Sequence, residues 1–341
     1  MKKYQTENLS ANEKIFVREY FSYLENESKN LNWNRIEEIL DSFFYDNIKI
    51  LKENATNVDE KSPILVCLVK NELQRMKKFF EHYRKIGIER FAIIDNDSDD
   101  GTLEFCLAQK DADVFFIKQP FTSPRHVSWV NKILCHYGYN RWYLSVDADE
   151  FLDYIDSENK EIRDVVSFAE KNSLHRILAV QVDFYSAENL FASQNDEIAW
   201  EKLKYFDSSS YEIKSLPAYK LIVGGPRKRV LKTYSVLTKY PLFYHQTSDI
   251  MPSMHYLYPY EKNFQSPCLM VLKHYEFINE EDKRKMKQII IKENYASKSK
   301  EYKEMWQTLQ GIENISFHFE KSVAYNSSQD LRALFFLSSI S

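Results

Sequence analysis

Trp142-Tyr143-Leu144-Ser145-Val146-Asp147-Ala148-Asp149-Glu150-Phe151-Leu152 is the stretch on which the fold assignment turns. Its first five residues are short and largely apolar, as in a strand buried on both faces. An acidic cluster follows at once. Residues two apart on an extended chain point the same way, so Asp147 and Asp149 are expected to face one spot. Two carboxylates there suit a hard divalent cation that keeps open positions for phosphate oxygens. A lone Asp-x-Asp also reads as a solvated acidic turn; its place after a buried strand gives it weight.

Upstream, the same grammar repeats. Pro63 opens an apolar run at 64–69, followed by Lys70-Asn71-Glu72 and a helix carrying Met76, Phe79, Phe80 and Tyr83 at helical spacing. Gly87 is its expected C-cap. A strand at 91–94 runs into Asp95-Asn96-Asp97-Ser98-Asp99-Asp100-Gly101-Thr102; a third strand at 114–117 and a helix around Trp129 to Tyr137 complete the series. Alternating strands and helices predict an α/β fold, with a Rossmann-type, mostly parallel sheet and right-handed crossovers. In such sheets ligands bind beyond the carboxyl ends of the strands, where three polar clusters would converge. The cluster at 95–102 has the look of a calcium loop but lacks the closing Glu and the helix pair. It reads as a polar turn with Thr102 near the next N-cap, leaving Asp95 or Asp97 to accept from a base or a ribose.

Working further outward, 341 residues suit one large domain with additions, or two domains. Residues 1–60 are expected as a helical N-terminal extension, with Ile15, Phe16, Tyr20, Tyr23 and Leu24 on one face and Ile36, Ile39, Leu40 and Phe43 on another. Residues 61–280 form the main domain, with a donor half (61–155) and an acceptor half (156–280). Residues 281–341 are a helical C-terminal region. Within these, 177–184 reads as a strand, Gly224-Gly225-Pro226 as a turn and 280–311 as helix; the apolar tail 331–340 is expected to dock on the core.

The net charge of −4 is mixed along the chain, which argues against a nucleic-acid partner. Arg227-Lys228-Arg229 and Lys283-Arg284-Lys285 read as solvated helix faces. Aromatics reach 15%, enough for core packing and for sugar-stacking platforms. Four cysteines without a C-x-x-C spacing point to buried thiols in a reducing compartment. The start lacks the apolar stretch of a signal peptide, and no apolar run approaches the ~20 residues that span a bilayer. A cytoplasmic protein is expected, with peripheral contact on the inner face of a membrane as a further partner.

Residues 64–152 resemble the family-2-like glycosyltransferases of the GT-A fold. The resemblance is carried by Val69-Lys70-Asn71-Glu72, Asp95-Asn96-Asp97-Ser98 with Asp100-Gly101-Thr102, and Asp147-Ala148-Asp149-Glu150-Phe151-Leu152. Looser matches at Gly224 to Val230, Lys239-Tyr240-Pro241-Leu242 and Leu272-Lys273-His274-Tyr275 make the bacterial subgroup near family 92 the most similar. The resemblance implies a nucleotide-sugar donor (UDP-linked), a Mn²⁺ or Mg²⁺ ion, and inversion at the anomeric carbon. The acceptor would be a glycan or lipid-linked glycan of cell-surface polysaccharide synthesis. It implies Asp149 as direct metal ligand, Asp147 near ribose or metal, and His274, ahead of His255, completing the shell. Asp95 would approach the nucleobase, with Lys70, Asn71, Glu72, Asp97, Arg125 and Asn131 around the donor and Arg227 or Arg229 at phosphate. His126 departs from the Gln that relatives often carry.

Inverting transfer needs a base for the acceptor hydroxyl, and Asp183, Asp249 and Glu276 are candidates. Competing assignments are weaker. A phosphohydrolase would need a hydroxyl or Val where Glu150-Phe151 stands. A nucleotidyltransferase would show a Gly-rich loop where Lys70-Asn71-Glu72-Leu73 has none. A non-catalytic nucleotide- or glycan-binding scaffold would have no need of the intact acidic pair.

Overall fold

A computed structural model of the chain describes residues 4–27, 32–54, 59, 61–190, 198–276, 282, 303–309 and 315–340. Helices α1 (Ala11–Glu27) and α2 (Trp33–Tyr45) precede a short strand, β1 (Lys49–Lys52). The expected alternation follows: β2 (Ile64–Val69), α3 (Leu73–Lys85), β3 (Arg90–Asp95), α4 (Thr102–Ala108), β4 (Ala112–Phe116), α5 (Ser123–Tyr137) and β5 (Arg141–Ser145). Next come β6 (Glu150–Asp153), α6 (Ile162–Lys171), β7 (Arg176–Asp183), β8 (Tyr205–Asp207), β9 (Tyr211–Ser215) and β10 (Lys220–Gly224). The last strands are β11 (Thr238–His245), β12 (Ile250–Ser253), β13 (Tyr256–Tyr258), β14 (Cys268–His274) and β15 (Ser322–Ala324).

Nine strands form one sheet in the order β1-β4-β3-β2-β5-β11-β7-β14-β6. β2, β3, β4, β5, β7 and β14 share a direction, and β1, β11 and β6 oppose it. The protein is thus mixed α/β with a large, mostly parallel central sheet. Every residue of β2, β3, β7 and β14 is buried, as apolar strands covered on both faces must be. The chain steps from β2 to β3 to β4, then returns through α5 to β5. Right-handed crossovers therefore put α3 and α4 on one face and α5 on the other. Helix α3 buries Met76, Phe79, Phe80 and Tyr83 and ends where Gly87 adopts φ +92°, the left-handed turn its position predicts.

The N-terminal extension is not purely helical. Its α1 and α2 bury Phe16, Tyr20, Ile39 and Phe43 against Val127 and Cys135 of α5. Beyond them β1 pairs antiparallel with β4 at the sheet edge; four residues are too few to display a strand period. At the other end, the helix expected at 280–311 lies outside the described residues except at 282 and 303–309, the latter helical; Lys283-Arg284-Lys285 lies outside them too. The described remainder of 281–341 is largely non-helical, with β15 and a 3₁₀ turn at Ser328–Ala333. Leu331, Leu334 and Ile340 join the main core. All four cysteines are buried and unpaired. Among the described residues no helix is long and apolar enough to cross a membrane.

The amino end of β7 is held by a buried ionic knot. Arg176, inaccessible at the start of β7, donates to the carbonyls of Leu257 and Pro259, to Asn263 Oδ1 and to Asp249 Oδ1. Lys262 also reaches Asp249, at 2.7 Å. His245, at the end of β11, is buried beside this knot and stacks on Tyr139. Burial, reinforced by Arg176 and Lys262 against Asp249, lowers its pKa to about 4. An unfolded His titrates near 6.5, so between the two values the unfolded chain binds more protons and stability falls as pH falls. The cost is absent above pH ~6.5 and reaches roughly 3 kcal/mol near pH 4. His245→Phe should keep the stacking and reduce the acid slope, measured as urea midpoints from pH 7.5 down to 4.5; an unchanged slope would refute this.

Candidate functional site

The common strand direction brings the ends of β2, β3, β5, β7 and β14 to one edge of the sheet, together with the starts of β6 and β11. Each end carries a polar group because the apolar run stops there. Two loops interlock at the β2 and β3 ends. Lys70 Nζ donates to the Asn96 and Asp97 carbonyls at 2.7 and 3.0 Å. The Asn71 side chain and Asp99 exchange hydrogen bonds of 2.7 and 2.9 Å, and Thr102 Oγ1 accepts from the Glu72 N–H. Asn71 and Asp97 take positive φ to make this fit, a conformation Asn and Asp tolerate better than most residues. The cap of α4 is Gly101, with Thr102 one residue inside the helix. Much of the polarity in both motifs is therefore spent on loop architecture. Glu72 pairs with Arg75, which also reaches Asp282 and the Tyr275 carbonyl.

Asp95 is different. It is fully buried, its Oδ1 accepts from the Ser98 N–H, and its Oδ2 has no hydrogen-bond partner among the described residues. Burial raises its pKa, against the pull of the Ser98 hydrogen bonds. A buried orphan acceptor costs energy unless a ligand or water meets it. Asp97 lies at the surface beside Lys118.

The segment after β5 departs from expectation. The strand ends at Ser145, and Ala148-Asp149 form a turn closed by the Glu150 N–H on the Asp147 carbonyl, 3.1 Å. Asp147 and Asp149 therefore do not alternate on an extended chain, and each meets its own partners. Asp147 Oδ2 is 2.7 Å from Lys239 Nζ, and its Oδ1 is 3.9 Å from His126 Nε2. Lys239 also holds Glu150 at 2.6 Å. Glu150 further accepts from Gln181 and from the Asp147 N–H. Burial raises the Glu150 pKa despite Lys239; burial would lower that of Lys239, but Asp147 and Glu150 outweigh it and raise it.

Asp149 instead faces His274 Nε2, at 3.5 Å. His274 ends β14, and its register neighbours are Asp183 on β7 and Glu150 on β6. Asp183 Oδ1 sits 2.9 Å from His274 Nδ1 and Oδ2 accepts from Arg227 Nε at 2.9 Å. Glu276 lies 3.4 Å from Arg227 and 3.9 Å from His274 Nε2. Burial opposes the charge of both His274 and Asp183. For His274 the carboxylates Asp149 and Asp183 win and raise its pKa; for Asp183, Arg227 and His274 win and lower it.

Several expected site residues lie elsewhere. Asp249 belongs to the Arg176 knot at the amino end of β7. Seven residue steps of β7 separate Arg176 from Asp183, roughly 23 Å, so Asp249 is too remote to act as base. His255 stays near this edge, with Nδ1 on the carbonyl of Thr238, which precedes Lys239, at 2.9 Å, but the histidine that meets Asp149 is His274. Asn131 is buried and ties α5 to the Met251 backbone in both directions. Arg125 donates to the Pro120 carbonyl near the start of α5. Arg229 pairs with Asp207 and stacks on Phe319. Lys239, Glu150 and Gln181 were not anticipated as site residues. A lysine inside the apolar Thr238–His245 run was the available signal, since a buried ammonium requires a carboxylate.

Asp149 and His274 offer a divalent ion one carboxylate oxygen and one imidazole nitrogen. Among the described residues no group of three or more His, Cys, Asp or Glu side chains is disposed as a full metal cage. Two protein ligands fit an ion that takes the rest of its shell from water and phosphate. The Asp183 carboxylate behind His274 supplies the orienting partner that metal-binding imidazoles use.

No protein-family model matches the chain, and no curated protein matches its sequence. Among solved structures, residues 1–349 of S. aureus TarS match at 13% identity with a TM-score of 0.29, over 73% of this chain and 72% of that one.

Proposed function

We propose that the protein is a metal-dependent, inverting glycosyltransferase with a GT-A-like sheet. It would move a sugar from a UDP-linked donor to a glycan or lipid-linked glycan acceptor in cell-surface polysaccharide synthesis. The observation that carries this is Asp149 facing His274 Nε2 at the carboxyl edge of the sheet, with Asp183 behind the imidazole. Mn²⁺ or Mg²⁺ held by Asp149 and His274 would neutralise the departing pyrophosphate as a Lewis acid.

The chain's own residues supply the rest. Asp95 Oδ2, buried and unmatched, would accept from a nucleobase or ribose. Lys239 clamps Asp147 and Glu150 and so holds the turn that aims Asp149. Asp183 keeps a proton on His274 Nδ1 and leaves Nε2 for the ion. Arg227 balances the Asp183 and Glu276 carboxylates. Glu276, on the rim and within reach of the same centre, is the base we assign to the acceptor hydroxyl.

Calorimetric titration of the full chain with UDP and other nucleoside diphosphates, with and without Mn²⁺, tests this. One nucleotide is expected to bind, and to bind at least tenfold more weakly without the metal. No binding by a folded protein would overturn the assignment.

A further inference from the structure

The rings of Tyr219, Tyr256, Tyr260 and Tyr258 form an unbroken row. Tyr219 and Tyr256 stack, with centroids 4.9 Å apart and planes 16° apart. Tyr260 meets Tyr256 at 5.8 Å and Tyr258 at 5.2 Å, edge-on in both cases. All four are half-buried, so each keeps part of its surface open to solvent. Strand alternation accounts for two of them: Tyr256 and Tyr258 flank the buried Leu257 on β13 and project to the same side.

The row is held from behind. Asn263, in the 3₁₀ turn Tyr260–Phe264, donates through Nδ2 to the Ala218 carbonyl at 2.7 Å and the Leu257 carbonyl at 2.9 Å. It thereby ties the residue before Tyr219 to the residue after Tyr256. Arg176 holds the Leu257 and Pro259 carbonyls from the sheet. The Tyr219–Tyr256 end is anchored to the backbone next to Lys239. Thr238, which directly precedes Lys239, donates through Oγ1 to the Lys220 carbonyl at 2.7 Å, and its own carbonyl lies 2.9 Å from His255 Nδ1. The far end of the row meets Tyr23 of α1, 5.0 Å from Tyr258.

The hydroxyls divide the row in two. That of Tyr258 accepts from Asn26 Nδ2 at 3.2 Å, and that of Tyr260 bonds to Tyr23. Those of Tyr219 and Tyr256 have no hydrogen-bond partner among the described residues. A tyrosine that only fills a core bonds its hydroxyl. The charges that act on Tyr256 are Arg35 and Glu27, one of each sign, so the row favours neither an anion nor a cation.

We propose that this row is a binding subsite for an uncharged, linear glycan of hexopyranose units, which lays its C–H faces on the rings and hydrogen-bonds the Tyr219 and Tyr256 hydroxyls. Tyrosine supplies a large amphipathic contact at low conformational cost, and the Asn263 and Arg176 ties hold the row ready before the ligand arrives. A bilayer would call for aliphatic tips beside clustered cations, and a nucleic acid for clustered cations; among the described residues the row offers neither. Glycan binding stands independently of the transferase assignment. Only its consequence, that the glycan is the acceptor and is steered from the α1 end toward Lys239 and Asp147, rests on that assignment.

The test is saturation-transfer NMR of the full chain with cello-, malto- and chito-oligosaccharides, without nucleotide or metal. At least one of the three should bind. Tyr219→Ala/Tyr256→Ala should weaken that binding by about tenfold or more. Tyr219→Phe/Tyr256→Phe keeps the stack and the fold and removes only the two hydroxyls, and should weaken it about fivefold. No binding of any of the three sugars overturns the proposal, as does parent-like binding by both variants. Binding of a polyproline peptide in place of the sugars also overturns it, because aromatic grooves of this kind take extended proline-rich chains as well. With nucleotide and metal absent, failure here is separate from failure of the donor titration.

Discussion

Asp149→Asn is expected to lower sugar transfer by about 10³-fold while moving the thermal midpoint by less than about 3 °C. The rate loss follows from the position of the carboxylate. It is nearer to His274 Nε2 than Glu276 is, 3.5 Å against 3.9 Å, and it would contribute a charged oxygen ligand to the ion that stabilises the leaving pyrophosphate. Removing one preorganised electrostatic contact to a developing charge typically costs 10²–10³-fold in rate; loss of a direct metal ligand adds weaker ion binding. The stability loss is small because the Asp149 side chain is 27% exposed and pairs within a cluster that keeps Asp183 and Glu276. Asp183→Asn is expected to be milder, 10–100-fold in metal affinity, because it acts through the orientation of His274. Donor turnover at saturating and limiting Mn²⁺ checks both. Excess metal should partly restore the Asp183 variant and leave the Asp149 variant inactive. An Asp149→Asn protein that turns over at the parent rate would remove the metal from the mechanism.

How much of this was legible beforehand depends on the range of the interactions involved. Strands β2 to β5 announce themselves because runs such as 64–69 are buried on both faces and need only local pattern to be seen. The convergence of their polar ends follows from crossover handedness. By contrast, β11, β14 and β6 reach the sheet by antiparallel or distant pairings that leave no local period, and β1 is too short to show one. The same distinction governs the site. Asp149 could be picked out from its neighbours in sequence, and His274 from the resemblance at 272–275. The turn at Ala148-Asp149 could not, because what stabilises it is Lys239, ninety residues away, holding Asp147 and Glu150 together. Asn131 and Asp249 misled for the opposite reason. Both are buried polar residues, and such residues serve as structural ties as readily as they serve chemistry.

Arg176→Met is expected to destabilise the protein by about 3–5 kcal/mol, the largest stability effect of any single substitution considered, without altering the residues at the carboxyl edge. Arg176 has no exposed side-chain surface, and its guanidinium satisfies two carbonyls, an amide oxygen and a carboxylate. Breaking a buried pair by removing one partner typically costs this much because the other charge stays behind, desolvated. Lys262 would still reach Asp249 and the Leu257 carbonyl would keep the Asn263 amide, so the loss is not larger; the Pro259 carbonyl and Asn263 Oδ1 would lose the Arg176 donor. Methionine fills much of the volume, so the loss reports electrostatics more than a cavity. The double variant Arg176→Met/Asp249→Leu should recover a substantial part of it, since replacing both members of a buried pair by apolar residues is often neutral. Urea unfolding of the two variants and the parent decides the matter: equal losses in the single and double variants would show that the carbonyl contacts, rather than the ion pair, hold this end of the sheet. The prediction also separates the two ends of β7. Asp183 at one end pairs with His274 and Arg227 at the candidate site, and under the proposed function its replacement would cost activity more than stability, while Arg176 at the other end is committed to the fold.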